Sequence, residues 1–336
     1  MKFDAILGNA PLVDVPAIAR TAETFGFDGI WSQETEHDPF LPLALVNEHT
    51  KRLVSGTSIA VAFSRSPMNL AYTAWDLSAQ SQGRFILGLG TQVQAHIERR
   101  FGMEWPASPV GRLGEMIDAI RSIWDCWQTG QRLNFRGEHY RLGLMTPFFT
   151  PPPLGHAAPP IFISGVNKGM ARLAGQKADG FFVHPYHTSR SLNEITLPAI
   201  KSGLRERDTA KPQFEVSVTA FAACSAAEVG AVRKQIAFYA STPSYDSILR
   251  LAGLEQVATE LSQLARRGKW DEMPSFISDE LLEKVCVIAD DAPSLAVKLV
   301  KKYDGIADRL AIYRPLLAND EPVFWGSLIS TFRALQ

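Results

Sequence analysis

Cysteine is scarce: Cys126, Cys224 and Cys286 are the three in 336 residues, far apart, with no C-x-x-C pair and no histidine at metal-ligand spacing. This excludes a zinc-binding Cys cluster and a disulfide framework, and leaves three small apolar side chains suited to a reducing compartment. An excess of one charge is also missing, since 34 Lys plus Arg stand against 35 Asp plus Glu. Without a basic patch there is no footprint for nucleic acid or an anionic membrane, so neither partner is expected. No uninterrupted apolar run of about 18 residues occurs, and MKFDAILGNAPLVD at the start lacks the basic-then-apolar order of an export signal, so a cytoplasmic location is expected.

What the chain does have is a repeated switch between short apolar runs and segments of helical period, the pattern of βα units on a parallel sheet. Strands are expected at 2–8, 27–33, 53–63, 84–90, 159–165, 178–185, 214–224 and 308–315. Helices are expected between them, among them 15–25, 41–49, 67–82, 112–128, 170–177, 192–206 and 227–240. Two stretches break the rhythm. Residues 130–158 are rich in Pro, Gly and aromatics, with a possible hairpin in RLNFRGEHYRL, and 241–290 carries more helix than one crossover needs. Eight staves favour closure into a (β/α)8 barrel over an open sheet, so the expected organisation is one TIM-barrel domain over 1–336 with insertions near 130–158 and 241–290.

In such a barrel the chemistry lies just after the strands. That rule nominates Glu34 and His37 after the second strand, Ser64 and Arg65 after the third, and Thr91, Gln92 and His96 after the fourth. Gly165, Val166 and Asn167 follow the fifth, and His184 and His187 the sixth. LGLGTQ begins like a dinucleotide fingerprint, but Val93 stands where the third glycine belongs. Gly88 and Gly90 are better explained by close backbone approach to something planar. The histidines lack companion carboxylates at facing spacings, so no metal is expected. ISGVNKG supplies no nucleophile elbow, which disfavours a hydrolase. Phe101, Trp105, Phe135, Tyr140, Phe148 and Phe149 are candidates to wall an apolar pocket, or else to cover barrel helices.

Taken together, FGFDGIW (25–31), TSIAVAFSRSP (57–67), SQGRFILGLG (81–90), HIERRFG (96–102), PIFISG (160–165) and AGQKADGFF (174–182) resemble the bacterial luciferase-like superfamily of flavin and deazaflavin oxidoreductases. ETEHDPFLPLAL (34–45), LGLGTQVQAHIERRFGMEW (87–105) and IAFYASTP (236–243) are most similar to a subgroup described as coenzyme F-420-dependent oxidoreductases. The resemblance implies a bulged third strand with a non-prolyl cis peptide at Ser58-Ile59 behind the middle ring of the cofactor. It also implies tail binding by the backbone at Ser164, Gly165, Val166 and Asn167, with Thr91 and Gln92 approaching from the fourth strand. Relatives commonly form homodimers.

The sequence departs from the sugar-phosphate dehydrogenases of that superfamily. Their Asp-His pair after the second strand is Glu34-Thr35 here, and their Glu after the fourth is Val93, so their substrate does not carry over. Glu34, His37 and His96 are the candidate acid-base groups in replacement. Asp38 and Glu36 are expected to face solvent or cap the helix beginning near Leu41. The function expected is hydride transfer between coenzyme F-420, a deazaflavin, and a small organic substrate. The alternatives are a flavin mononucleotide (FMN) monooxygenase working with a separate reductase, and a barrel that binds ligands without catalysis.

Overall fold

The computed structural model describes residues 1–207, 213–251, 253–320 and 322–336. Eight strands line up in parallel: β1 (Lys2–Ile6), β2 (Gly29–Ser32), β3 (Val54–Thr57), β4 (Phe85–Gly90), β5 (Ile161–Gly165), β6 (Gly180–Val183), β7 (Glu215–Ala223) and β8 (Arg309–Pro315). Each pairs with the next, and β8 pairs back onto β1 in the register Lys2 to Arg309, so the ring is closed. Closure removes both sheet edges, and helices cover the outside. Every residue of β4 is buried as a result, the continuous apolar run expected of a strand covered on both faces.

The ring is filled in layers. At its amino-terminal end Arg309 makes a two-pronged bond to Asp4, Nε to Oδ2 and Nη2 to Oδ1, both at 2.8 Å, and the Trp31 indole N–H donates to Oδ2 at 3.1 Å. Both ionic side chains are essentially inaccessible. Burial pushes the Asp4 carboxyl up, and the guanidinium pulls against it. Above this pair lie Ile6, Trp31, Ile86, Phe162, Phe182 and Ala311, with Ile59 and Tyr313 packed on the same layer. The aromatic rings meet edge to face or tilted, Trp31 on Phe182 at 5.2 Å and Phe162 on Phe182 at 5.3 Å. The barrel is therefore plugged below and open to chemistry only at its carboxyl-terminal mouth.

Most elements fall where the periodicity places them, and the differences have local causes. The helix expected from residue 112 begins a turn earlier, at Pro109, because Ser108 accepts from the Gly111 amide and proline fits the first turn. The third strand, expected as one run over 53–63, is split: Val54–Thr57 and Ala60–Val61 pair separately with β4. The hairpin in the first excursion forms, Phe135–Arg136 against Arg141–Leu142, and Glu115 anchors its turn by accepting from the amides of Glu138, His139 and Tyr140. The second excursion is helical as expected but also holds a strand, Cys286–Ile288, which pairs in parallel with the upper end of β7 from Phe221 to Ala223. Among the described residues no helix is long and apolar enough to cross a membrane.

Candidate active site

The mouth is organised around the break in the third strand. Gly56 sits opposite Ile86 and Ala60 opposite Leu89, so four steps on one strand face three on the other, a β-bulge. The Ser58–Ile59 peptide within it is cis. Thr57 locks the bulge to β4, its hydroxyl donating to the Gly88 carbonyl at 2.7 Å and accepting from the Gly88 amide at 2.9 Å. A Cβ on Gly88 would lie 1.8 Å from the Thr57 carbonyl oxygen, and one on Gly90 would lie 2.8 Å from Ile59 Cδ1. A close approach of the kind expected at these two glycines is made by the neighbouring strand.

Glu34 braces the bulge from the other side. Its Oε2 accepts from the Val61 amide at 2.6 Å and from Arg65 Nη1 at 2.7 Å, and its side chain is only 5% exposed. The Ser58 amide donates to Ser32 and the Glu34 amide to Ile59, which ties the bulge to the end of β2. Arg65 also reaches Asp38 at 3.2 Å and lies over the Phe40 ring. Asp38 caps as anticipated, accepting from the amides of Phe40 and Leu41 where the helix Leu41–His49 begins. His37 and His96 are exposed, His37 on the loop after β2 and His96 in the short helix Gln94–Arg99 that follows β4. Those segments are joined by Arg100 donating to the Thr35 carbonyl at 2.5 Å.

Thr91 and Gln92 are half-buried where β4 ends. Gln92 takes the left-handed conformation, φ 61°, and its side chain turns back to accept from the Val93 amide. On the next strand the Ser164 hydroxyl donates to the Phe182 carbonyl. A Cβ on Gly165 would fall 2.3 Å from Met170 Cβ, so this glycine lets the strand end press onto the following helix. Asn167 caps that helix, Lys168–Lys177, by accepting from the Met170 amide at 2.9 Å. The first amides of a helix have no intrahelical acceptor and carry its positive dipole end, so the turn Val166–Gly169 offers N–H groups to an anion. Ala60 and Ile163 both face Leu89, from opposite sides. The bulge, with Ile59 as an apolar ledge, and the strand that leads into the turn are therefore two strand spacings apart across the sheet, roughly 10 Å, with the turn further along the strand direction.

Across the mouth stands a group that sequence reading did not assemble: His184 after β6, Tyr313 in β8, Tyr239 on the helix Ala226–Ala240 and Tyr245 in the turn after it. The His184 ring meets Tyr239 edge-on at 4.5 Å and Tyr245 at 4.7 Å, and the hydroxyls of Tyr239 and Tyr313 are 3.1 Å apart. Burial, and next the neighbouring His187, push His184 down to about 3. The position rule nominated His184, while of the tyrosines only Tyr239 lay in a segment singled out, IAFYASTP, and there for family likeness and not for position. Of the aromatic residues expected to wall a pocket or cover helices, Phe148 is 89% exposed and Trp105 packs edge-on against Phe63 at 5.8 Å.

His187 has a structural task. Its Nδ1 bonds to the His184 carbonyl at 2.8 Å, which assigns the proton there, and its Nε2 accepts from the Tyr303 hydroxyl at 2.9 Å. Burial pushes it down to about 4, below its ordinary 6.5. Between those values the unfolded chain holds the extra proton, so the stability carried by the neutral ring is complete above the higher value and lost as pH falls toward the lower. The loss amounts to about 3 kcal/mol. Urea denaturation of wild type and His187→Gln at about pH 7 and about pH 4.5 tests this: the gap in stability between them is expected to close at the lower pH, and an unchanged gap contradicts it.

Beside His187, Arg190, Lys284, Lys298 and Lys302 help to line a cavity of about 710 Å³. Among the described residues no three of His, Cys, Asp and Glu are grouped so as to hold a metal ion.

The comparisons with known proteins agree with this architecture. The luciferase-like monooxygenase family model matches residues 3–309. An uncharacterized protein of Mycobacterium tuberculosis is 42% identical over 316 residues, 92% of either chain. An F420-dependent glucose-6-phosphate dehydrogenase of Intrasporangium calvum is 27% identical over 315 residues, 88% of this chain and 86% of its own. Among solved structures, the coenzyme F420-dependent tetrahydromethanopterin reductase of Methanopyrus kandleri superposes with a TM-score of 0.79 at 16% identity, covering 98% of this chain and 96% of that one. At that identity the match speaks for the fold.

Proposed function

The chain belongs to the luciferase-like monooxygenase family, and from that premise we propose that it is a coenzyme F-420-dependent oxidoreductase, moving a hydride to or from a small organic substrate in the cytoplasm. The observation that carries this reading is the pairing of an apolar ledge at Ile59 with the amide-rich turn at Val166–Gly169, the ends of two strands that flank β4 at Leu89 and so lie two strand spacings apart across the sheet. A flat ring system on the ledge and an anionic tail at the turn fit that spacing. FMN shares the flat ring and the phosphate, and the family's description as monooxygenases keeps oxygenation with a separate reductase as the alternative.

When bound, the deazaflavin supplies the carbon that gives or takes the hydride. The protein's own part is position and exclusion of water. Thr57, Gly88 and Glu34 hold the ledge rigid, and Thr91 and Gln92 stand between ledge and turn. Ser164, Gly165, Val166 and Asn167 present the backbone to the tail. Glu34 is engaged by Arg65 and the Val61 amide, so we assign proton exchange with solvent to His37 and His96.

Val166→Asp tests the tail site without crowding Met170. A carboxylate among those amides repels an anionic tail and is expected to weaken F-420 binding about tenfold or more in a fluorescence titration, with the unfolding midpoint unchanged. Equal affinity in the variant removes the tail from this turn.

A further inference from the structure

We propose that His184, Tyr239, Tyr245 and Tyr313 form the substrate-facing wall of the mouth, and that this wall selects an uncharged organic molecule presenting a carbonyl or hydroxyl oxygen, in place of a phosphorylated sugar. The inference rests on the F-420 reading for the reaction performed, but not for what binds.

Position comes first. Tyr313 packs on the same interior layer as Ile59, so the hydroxyl group of residues and the proposed cofactor ledge rise from one floor on opposite sides of the ring. All four side chains are partly exposed, which puts them at the open end and not within the plug.

Proton counting gives the wall its character. The Tyr186 amide donates to His184 Nδ1 at 3.2 Å, so the neutral ring carries its proton on Nε2, which faces the Tyr245 hydroxyl at 3.4 Å. Tyr245 then accepts through its oxygen and keeps its own proton to give. Tyr239 and Tyr313 share one hydrogen bond between two hydroxyls, and the Gln235 side chain also bonds to Tyr239; with the Gln235 amide donating, one O–H of the pair is likewise left to give. Two O–H donors set among aromatic faces suit an oxygen acceptor on a ring or a compact apolar frame.

Charge points the same way. His184 is pushed down to about 3, and burial, followed by Tyr313, pushes Tyr245 up to about 12, so the wall is neutral at physiological pH. A phosphate group would need cations, and two that stand close to the wall in sequence are engaged: Arg314, next to Tyr313, pairs with Glu228 at 2.9 Å, and Arg190 pairs with Glu194.

The test is calorimetric titration of the full-length protein with cyclohex-2-en-1-one and, separately, glucose 6-phosphate. The enone is expected to bind saturably in the millimolar range or below, and the sugar phosphate to give no saturable heat. Tyr239→Phe with Tyr245→Phe keeps both rings and removes both hydroxyls. That double variant is expected to bind the enone about tenfold more weakly with an unaltered unfolding midpoint.

Saturable binding of glucose 6-phosphate, unchanged enone binding by the double variant, or no enone binding up to about 10 mM each overturns the proposal. Enone binding by a protein that ignores F-420 sinks the oxidoreductase reading alone. F-420 binding without enone binding sinks the inference alone.

Discussion

Gly88→Ala is expected to destabilise the protein by about 3 kcal/mol and to abolish F-420 binding, one of two large effects that bear on the mouth and its foundation. The added methyl would lie 1.8 Å from the Thr57 carbonyl oxygen and 2.7 Å from Phe182 Cε2. Neither is the free end of a flexible chain. To relieve the clash β3 and β4 must part where the Thr57 hydroxyl clasps both polar groups of Gly88, and the bulge loses its anchor. Gly230→Ala is the control: it lies exposed in the helix Ala226–Ala240 with nothing within 4 Å of the new Cβ. That change is expected to stabilise by about 0.5–1 kcal/mol through lost freedom of the unfolded chain. Urea denaturation of both proteins checks the pair, and a Gly88→Ala protein as stable as wild type would remove the bulge from the account.

The second large effect is at the opposite end of the barrel. Asp4→Ala strands the Arg309 guanidinium inside the ring, with Glu215 at 3.5 Å as its remaining acid. Loss of one partner of a buried pair costs about 3–5 kcal/mol, because the other charge stays desolvated. Asp4→Leu combined with Arg309→Met removes both charges and leaves apolar volume beside Trp31. This double variant is expected to be more stable than Asp4→Ala by denaturant midpoint, since burying two ions costs about as much as their attraction returns. If the double variant proves the weaker of the two, the plug is held by the ion pair itself and not by packing.

The barrel was legible because its signals are local. Alternation of apolar strand and amphipathic helix, and proline or serine at helix starts, depend on neighbours within a few residues. The two excursions were legible as breaks in that rhythm. What lay between distant segments was not. The strand Cys286–Ile288 is three residues long and follows directly on the helix Asp279–Val285, so no period separates it from the helix. Glu34 reads as a free acid after a strand, and only the fold brings Arg65 and the Val61 amide to it. Tyr239, Tyr245 and Tyr313 come from three elements spread over 75 residues, and no spacing rule joins them.

The bulge was reachable by resemblance and not by pattern, since LVSGTSIAVAF carries the apolar, β-branched look of an unbroken strand. Gly88 and Gly90 carried a true signal of close approach, but a sequence cannot say whether the neighbour is a ligand or a strand. His187 and Asn167 show the same limit: both belong to segments expected to matter, and both spend their side chains holding the backbone in place.

The mouth is proposed to accept a deazaflavin. Equilibrium titration of the purified protein with coenzyme F-420 and, in parallel, with FMN, each followed by its own absorbance and fluorescence, tests it most directly. Saturable one-to-one binding of F-420, tighter than that of FMN, is the predicted result. Binding of FMN with none of F-420 would contradict it and return the protein to the oxygen-using side of its family.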